Sequence, residues 1–138
     1  WVRELHAAFQ PHGLLLSAAV SPSKTVIDAG YDVPVMSEFL DWIAVMAYDY
    51  HGQWDKRTGH VAPMYAHPED DDVTFNTNFT IHYWASQGAD RRKLVLGMPM
   101  YGQSFSLADV KDNDLNAPTY GGGEAGEETR ARGFLAYY

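Results

Sequence analysis

The chain has 138 residues, 46% of them apolar and 20% charged, a composition that excludes an intrinsically disordered polypeptide and is enough to bury a core. Its formal net charge of −8 excludes nucleic acid and anionic membrane surfaces as partners, and the absence of cysteine removes disulfide and thiol chemistry. No apolar run is long enough to span a bilayer and no signal peptide opens the chain, which starts at Trp1 in mid-pattern and reads as a piece of something longer.

Taken in order, Trp1, Val2, Leu5, Ala8 and Phe9 fall on one helical face, and Pro11 with Gly13 end that helix. Leu14 to Val20 is an apolar run of strand length closed by Ser21-Pro22. A polar loop is expected from Ser23 to Val33, then a short helix opened by Pro34 and running through Leu40. Trp42 to Tyr48 is an unbroken apolar run, as in a strand buried on both faces, and it stops abruptly at Asp49. A long loop rich in Gly, Pro, His and Asp follows, to about Val73. It contains the acidic run Glu69 to Asp72, a solvated feature that accounts for much of the net charge.

A further helix is expected from Phe75 to Gln87, with Phe75, Phe79, Ile81, Tyr83 and Trp84 on adjoining rows and Gly88 as its stop. Within it, Asn78-Phe79-Thr80 fits the acceptor pattern for N-glycosylation. Lys93 to Met100 supplies the third strand, with Pro99 ending its pairing on one side. From Tyr101 onward the composition turns polar and Gly-rich, as in a separate irregular or β-rich insertion.

Helix and strand therefore alternate, and the helix-to-strand links are short while the strand-to-helix links are long. Alternation implies an α/β fold with a parallel sheet, and the long links imply one rim elaborated for function. Three strands cannot close a barrel. A small open sheet and part of a barrel are both compatible with the pattern.

Several motifs fail on inspection. Gly121 to Gly126 matches G-x-G-x-x-G but lacks a strand before it and a helix after it, so no nucleotide cofactor is expected. Asp112, Asp114 and Asn116 imitate the start of a calcium loop, but Ala117 and Gly123 occupy its glycine and glutamate positions. His51, His60 and His67 are scattered through one loop without a helical His pair, so no metal is expected. No nucleophile elbow occurs around any serine.

One set of residues survives. Met46, Tyr48 and Asp49 end the central strand, Trp54 lies in the loop after it, and Tyr101 with Gln103 follow the third strand. Each has a structural explanation by itself. Together, a carboxylate and a phenol flanked by aromatics suit a sugar, whose ring faces stack on aromatics while its hydroxyls need oriented partners. With only one well-placed carboxylate, hydrolysis does not follow from these residues alone.

Leu14 to Val20, Met46-Ala-Tyr-Asp-Tyr-His-Gly-Gln-Trp54 and Leu96-Gly-Met-Pro-Met-Tyr-Gly-Gln-Ser-Phe105 strongly resemble the glycoside hydrolase family 18 chitinases of animals, arthropods especially. Thr58-Gly59-His60, Pro63-x-Tyr65 and Leu135 to Tyr138 extend the resemblance through essentially the whole chain. It implies an internal portion of a (β/α)8 barrel, with residues 1–100 holding about strands five to seven and 101–138 beginning the family's α+β insertion domain.

It also implies retaining, substrate-assisted hydrolysis of β-1,4-linked N-acetylglucosamine in chitin, with no cofactor. Tyr48 matches the tyrosine that holds the acetamido oxygen, and Asp49 the aspartate that bonds sugar hydroxyls. Met46 matches a floor residue, Trp54 an aromatic platform on the leaving-group side and Tyr101 a cleft contact. Gln103 stands where many relatives carry arginine, keeping a donor without the charge. The family's general acid closes an Asp-x-x-Asp-x-Asp-x-Glu motif that does not occur in residues 1–138. An inactive chitinase-like lectin is therefore the alternative, and a relative acting on another N-acetylglucosamine linkage a third. The resemblance further implies an extracellular protein, in which Asn78 is open to N-glycosylation.

Overall fold

The computed structural model describes residues 1–138. The chain divides into two compact units, residues 1–47 with 77–97, and residues 48–76 with 98–138.

The first unit is built on three parallel strands, β1 (Ser17–Val20), β2 (Trp42–Val45) and β3 (Leu94–Leu96), with β2 in the middle. Ser17 pairs with Trp42 and Val20 with Val45, while Ile43 pairs with Leu94 and Val45 with Leu96. Along the middle strand Ile43, Val45 and Ala47 are buried and Trp42, Ala44 and Met46 half-buried. The alternation differs from the expected burial on both faces. β1 and β3 are the sheet's edges, and Val95 and Leu96 are exposed. All three strands are shorter than the apolar runs that announced them: Leu14 and Leu15 are exposed ahead of β1, although Leu16 still exchanges bonds with Asp41 through its N–H (2.6 Å) and its carbonyl (2.8 Å).

Four helices accompany this sheet. α1 (Val2–Phe9) runs into a 3-10 turn, Gln10–His12, closed by Gly13 in the left-handed region at φ 65. His6 Nδ1 meets the carbonyl oxygen of Phe39 at 2.9 Å and its ring meets the Phe39 ring edge-on, which fixes α1 against α3 (Val33–Phe39). Asp32 caps α3 by accepting from the Val35 N–H, and Pro34 occupies its first turn. At the other end of α3, the Lys93 ammonium donates to the carbonyls of Ser37 (2.7 Å) and Leu40 (2.8 Å), where a cation also complements the helix dipole.

The expected loop from Ser23 to Val33 contains a helix, α2 (Lys24–Gly30). Ser23 stands at its N-cap, Ile27 is buried, and the Lys24 ammonium pairs with Asp28 one turn on at 2.6 Å. α4 (Thr77–Ser86) lies within the expected span, and of the residues expected on its apolar side Trp84 is buried, but its buried companions are Thr77 and Thr80. Thr80 donates to the Pro22 carbonyl (3.0 Å) and the Trp84 indole N–H to Ser21 (3.2 Å), so the helix is tied to the turn after β1. Phe79 and Tyr83 stack on each other on the half-exposed side.

The second unit has two antiparallel pairs. β4 (Tyr101–Gln103) pairs with β7 (Phe134–Ala136), and β5 (Phe105–Leu107) with β6 (Thr119–Gly122), with an irregularity at Ser106/Leu107. Thr58 stitches the loop after Asp49 to the segment before β6: its N–H donates to Ala117, its carbonyl accepts from Asn116, and its hydroxyl donates to Asp114 at 2.6 Å. Gly122 and Gly133 leave room for the Gln53 side chain, whose amide oxygen would stand 2.6 Å from a Cβ at Gly122.

Candidate sugar-binding site

Asp49 adopts φ 58, a left-handed conformation that asparagine and aspartate tolerate better than most residues. Its carboxylate Oδ1 accepts from the Tyr101 hydroxyl at 2.7 Å and from the Gln103 amide at 3.2 Å. Tyr101 and Gln103 are two apart on β4 and therefore share a face, which is why one oxygen reaches both. The pairing of β4 with β7 supports them from behind, and the Phe134 ring lies 4.8 Å from that of Tyr101. On its other side Tyr101 meets the Tyr48 ring edge-on, with centroids 6.1 Å apart. Partial burial, the bond to the Asp49 carboxylate and that carboxylate's charge together push the Tyr101 phenol well above the ordinary tyrosine range.

Tyr48, Asp49, Tyr101 and Gln103 thus form one contiguous group. Asp49 is exposed, and the other three are half-buried. Such a group offers a fixed carboxylate, a neutral phenol beside it and an amide, a donor and acceptor set matched to sugar hydroxyls and amides.

Trp54 stands nearby in sequence on a tight turn, 58% exposed. The turn is closed by the Asp55 N–H donating to Gly52 (2.9 Å) and by Asp55 Oδ2, which accepts from the Gly52 N–H (3.2 Å) and lies 3.3 Å from His51 Nδ1. The indole folds back over Gly52. Met46 belongs to the first unit, half-buried, with its N–H donating to Val20 at 3.0 Å.

Phe134 and Asp55 were not singled out by sequence. Asp55 follows Trp54 directly and could have been noticed as a turn residue, whereas Phe134 is far along the chain and carried no signal. His51, His60 and His67 line a cavity of about 260 Å3 with Tyr65 and Asp70, but no three His, Asp or Glu side chains of the chain gather as metal ligands. Contrary to expectation a strand does lead into the Gly-rich segment, since Gly121 and Gly122 end β6, but no helix follows it. Asp109 to Asp112 forms a turn, with the Asp109 carbonyl accepting from Asp112 at 3.0 Å.

The profile described as "Glycosyl hydrolases family 18" matches residues 1–138. Over 137 residues the chain is 72% identical to "Probable chitinase 10" of Drosophila melanogaster, an alignment covering 99% of this chain and 6% of that protein. Among solved structures it matches catalytic domain 2 of the Ostrinia furnacalis Group II chitinase with a TM-score of 0.97 and 65% identity, over 99% of this chain and 36% of that one. A mutant of that domain has been solved in complex with (NAG)5. Human YKL-39, a pseudo-chitinase with retained chitooligosaccharide binding properties, matches with a TM-score of 0.94 and 37% identity, over 99% of this chain and 40% of its own. The chain spans less than half the length of each of these relatives.

Proposed function

The chain belongs to family 18 of the glycosyl hydrolases, and from that membership we propose that it supplies the substrate-gripping part of an endo-acting chitinase. The reaction is hydrolysis of β-1,4-linked N-acetylglucosamine with retention. The acetamido oxygen of the sugar at the cleavage point attacks its own anomeric carbon, the glycosidic bond breaks, and a glutamic acid protonates the departing oxygen. Water then opens the oxazolinium ion. In this reading the parallel strands β1, β2 and β3 are strands five to seven of a (β/α)8 barrel. Residues 1–100 belong to that barrel, and 101–138 begin an α+β insertion domain. The acid itself is contributed by chain other than residues 1–138, and the protein acts outside the cell.

The observation that carries the reading is the Asp49 cluster. Tyr48 donates its hydroxyl to the acetamido oxygen and so holds that oxygen in line for attack on the anomeric carbon. Asp49, held by Tyr101 and Gln103, accepts from sugar hydroxyls and helps hold the distorted ring. A carboxylate already oriented by two donors has no reorganisation left to undergo when the substrate arrives. Tyr101 keeps its proton at any physiological pH, so it remains a donor throughout. Trp54 stacks on the leaving-group sugar.

A second reading is favoured by one observation. Human YKL-39, a pseudo-chitinase with retained chitooligosaccharide binding properties, is also a relative. Every residue in the cluster serves binding as well as catalysis. Incubating the full-length protein with chitin hexamer separates the two. Release of shorter oligomers with retained anomeric configuration is the expected result; tight binding without cleavage would transfer the protein to the lectin reading.

A further inference from the structure

Trp54 is 58% exposed, so more than half of the residue faces solvent. Its other side rests on the main chain. A Cβ placed on Gly52 would stand 2.4 Å from Cη2, 2.6 Å from Cζ3 and 2.7 Å from Cζ2 of the indole, far inside van der Waals contact. The six-membered ring therefore lies flat on the Gly52 backbone, at a distance only glycine permits. Gly52 itself has an ordinary backbone conformation, outside the left-handed region, so the glycine is not needed to make the turn. Asp55 holds the two ends of the turn together. Its Oδ2 takes the Gly52 N–H and faces His51 Nδ1, while its own N–H returns to the Gly52 carbonyl.

We infer that Gly52 and Asp55 are positioning residues for Trp54, setting the direction in which the indole offers its face to a pyranose ring on the leaving-group side of a chitin oligomer. The inference rests on the reading of Trp54 as a sugar platform. A flat aromatic stacks on a sugar only when its plane is already aligned, and an indole free to rotate loses part of the gain in ordering. Glycine at position 52 removes that freedom by letting the ring rest against the main chain. Alanine there leaves the backbone unstrained and pushes the ring outward.

The test is a mutant cycle in the full-length protein, read by affinity for chitin hexamer, by KM and kcat, and by tryptophan emission. Trp54→Ala is expected to weaken hexamer binding about tenfold, the factor that a 1.4 kcal/mol loss represents. Gly52→Ala should weaken it by the same order, raise KM with kcat unchanged, and red-shift the emission assigned to Trp54 by difference from Trp54→Ala. In the Gly52→Ala, Trp54→Ala double variant the glycine change should add nothing, since its effect passes through the indole. Should Gly52→Ala fail to fold, the same cycle run on Asp55→Ala decides, and Asp55→Asn should restore most of what that change loses because it keeps the acceptor. Normal binding by Gly52→Ala alongside weakened Trp54→Ala would overturn the positioning role alone. Normal binding by Trp54→Ala would instead remove the platform reading, and this inference with it.

Discussion

Asp49 holds a backbone conformation that costs most residues roughly 1–2 kcal/mol, and its side chain is fixed by two donors from β4. The two features act together, because the left-handed turn aims the carboxylate at Tyr101 and Gln103. Asp49→Asn keeps both the tolerated conformation and an acceptor, so its stability should stay within about 0.5 kcal/mol of wild type in denaturant melts. Asp49→Val should cost about 1–3 kcal/mol, from a β-branched residue forced to positive φ.

Tyr101 gives a second prediction at this scale. Its folded pKa is raised, so its contribution to stability is fully present below the unfolded tyrosine value of about 10 and is lost as pH rises through the folded value. Ultraviolet difference titration of wild type against Tyr101→Phe should isolate a phenol ionising above the ordinary range. Replacing Asp49 with asparagine should bring that ionisation down.

At the scale of elements, α4 and the ammonium of Lys93 define the first unit. Trp84 is fully buried and bonded to Ser21, and Trp84→Ala should cost about 3–5 kcal/mol by urea unfolding. Lys93→Met removes the partner of two carbonyls at the end of α3 while keeping the stem, and should cost about 1–3 kcal/mol in the same measurement.

The same elements mark what could be read from the sequence. The middle strand and α3 were legible because an apolar run and a proline at a helix start are local signals. α2 was not, because Lys24-Thr25 and Asp28 look like loop; its helix is secured by a one-turn ion pair and by Ile27 in the core. Hydrophobicity placed Trp84 correctly in the buried face of α4 but not the rest of it. Its two threonines turn inward, Thr80 having the Pro22 carbonyl to bond, while the more apolar Phe79 and Tyr83 satisfy each other on the half-exposed side. Tyr48 and Asp49 could be picked out from an apolar run ending in a carboxylate. That Asp49 bonds Tyr101 and Gln103 could not, because it depends on a positive φ and on the pairing of β4 with a strand more than thirty residues away.

At the scale of the whole molecule the two units differ in kind. One carries the parallel sheet and its helices, and the other carries most of the candidate sugar contacts on a loop and antiparallel strands. Neither contains the acid motif of the family, so the 138-residue chain alone should bind chitin oligomers without turning them over. The most direct test of the account replaces one hydroxyl in the full-length protein: steady-state hydrolysis of chitin hexamer by Tyr48→Phe. We expect kcat to fall by about 10², as for loss of the group that positions the attacking oxygen, with KM changed little. An unaltered kcat would contradict the assignment of Tyr48 to the acetamido oxygen.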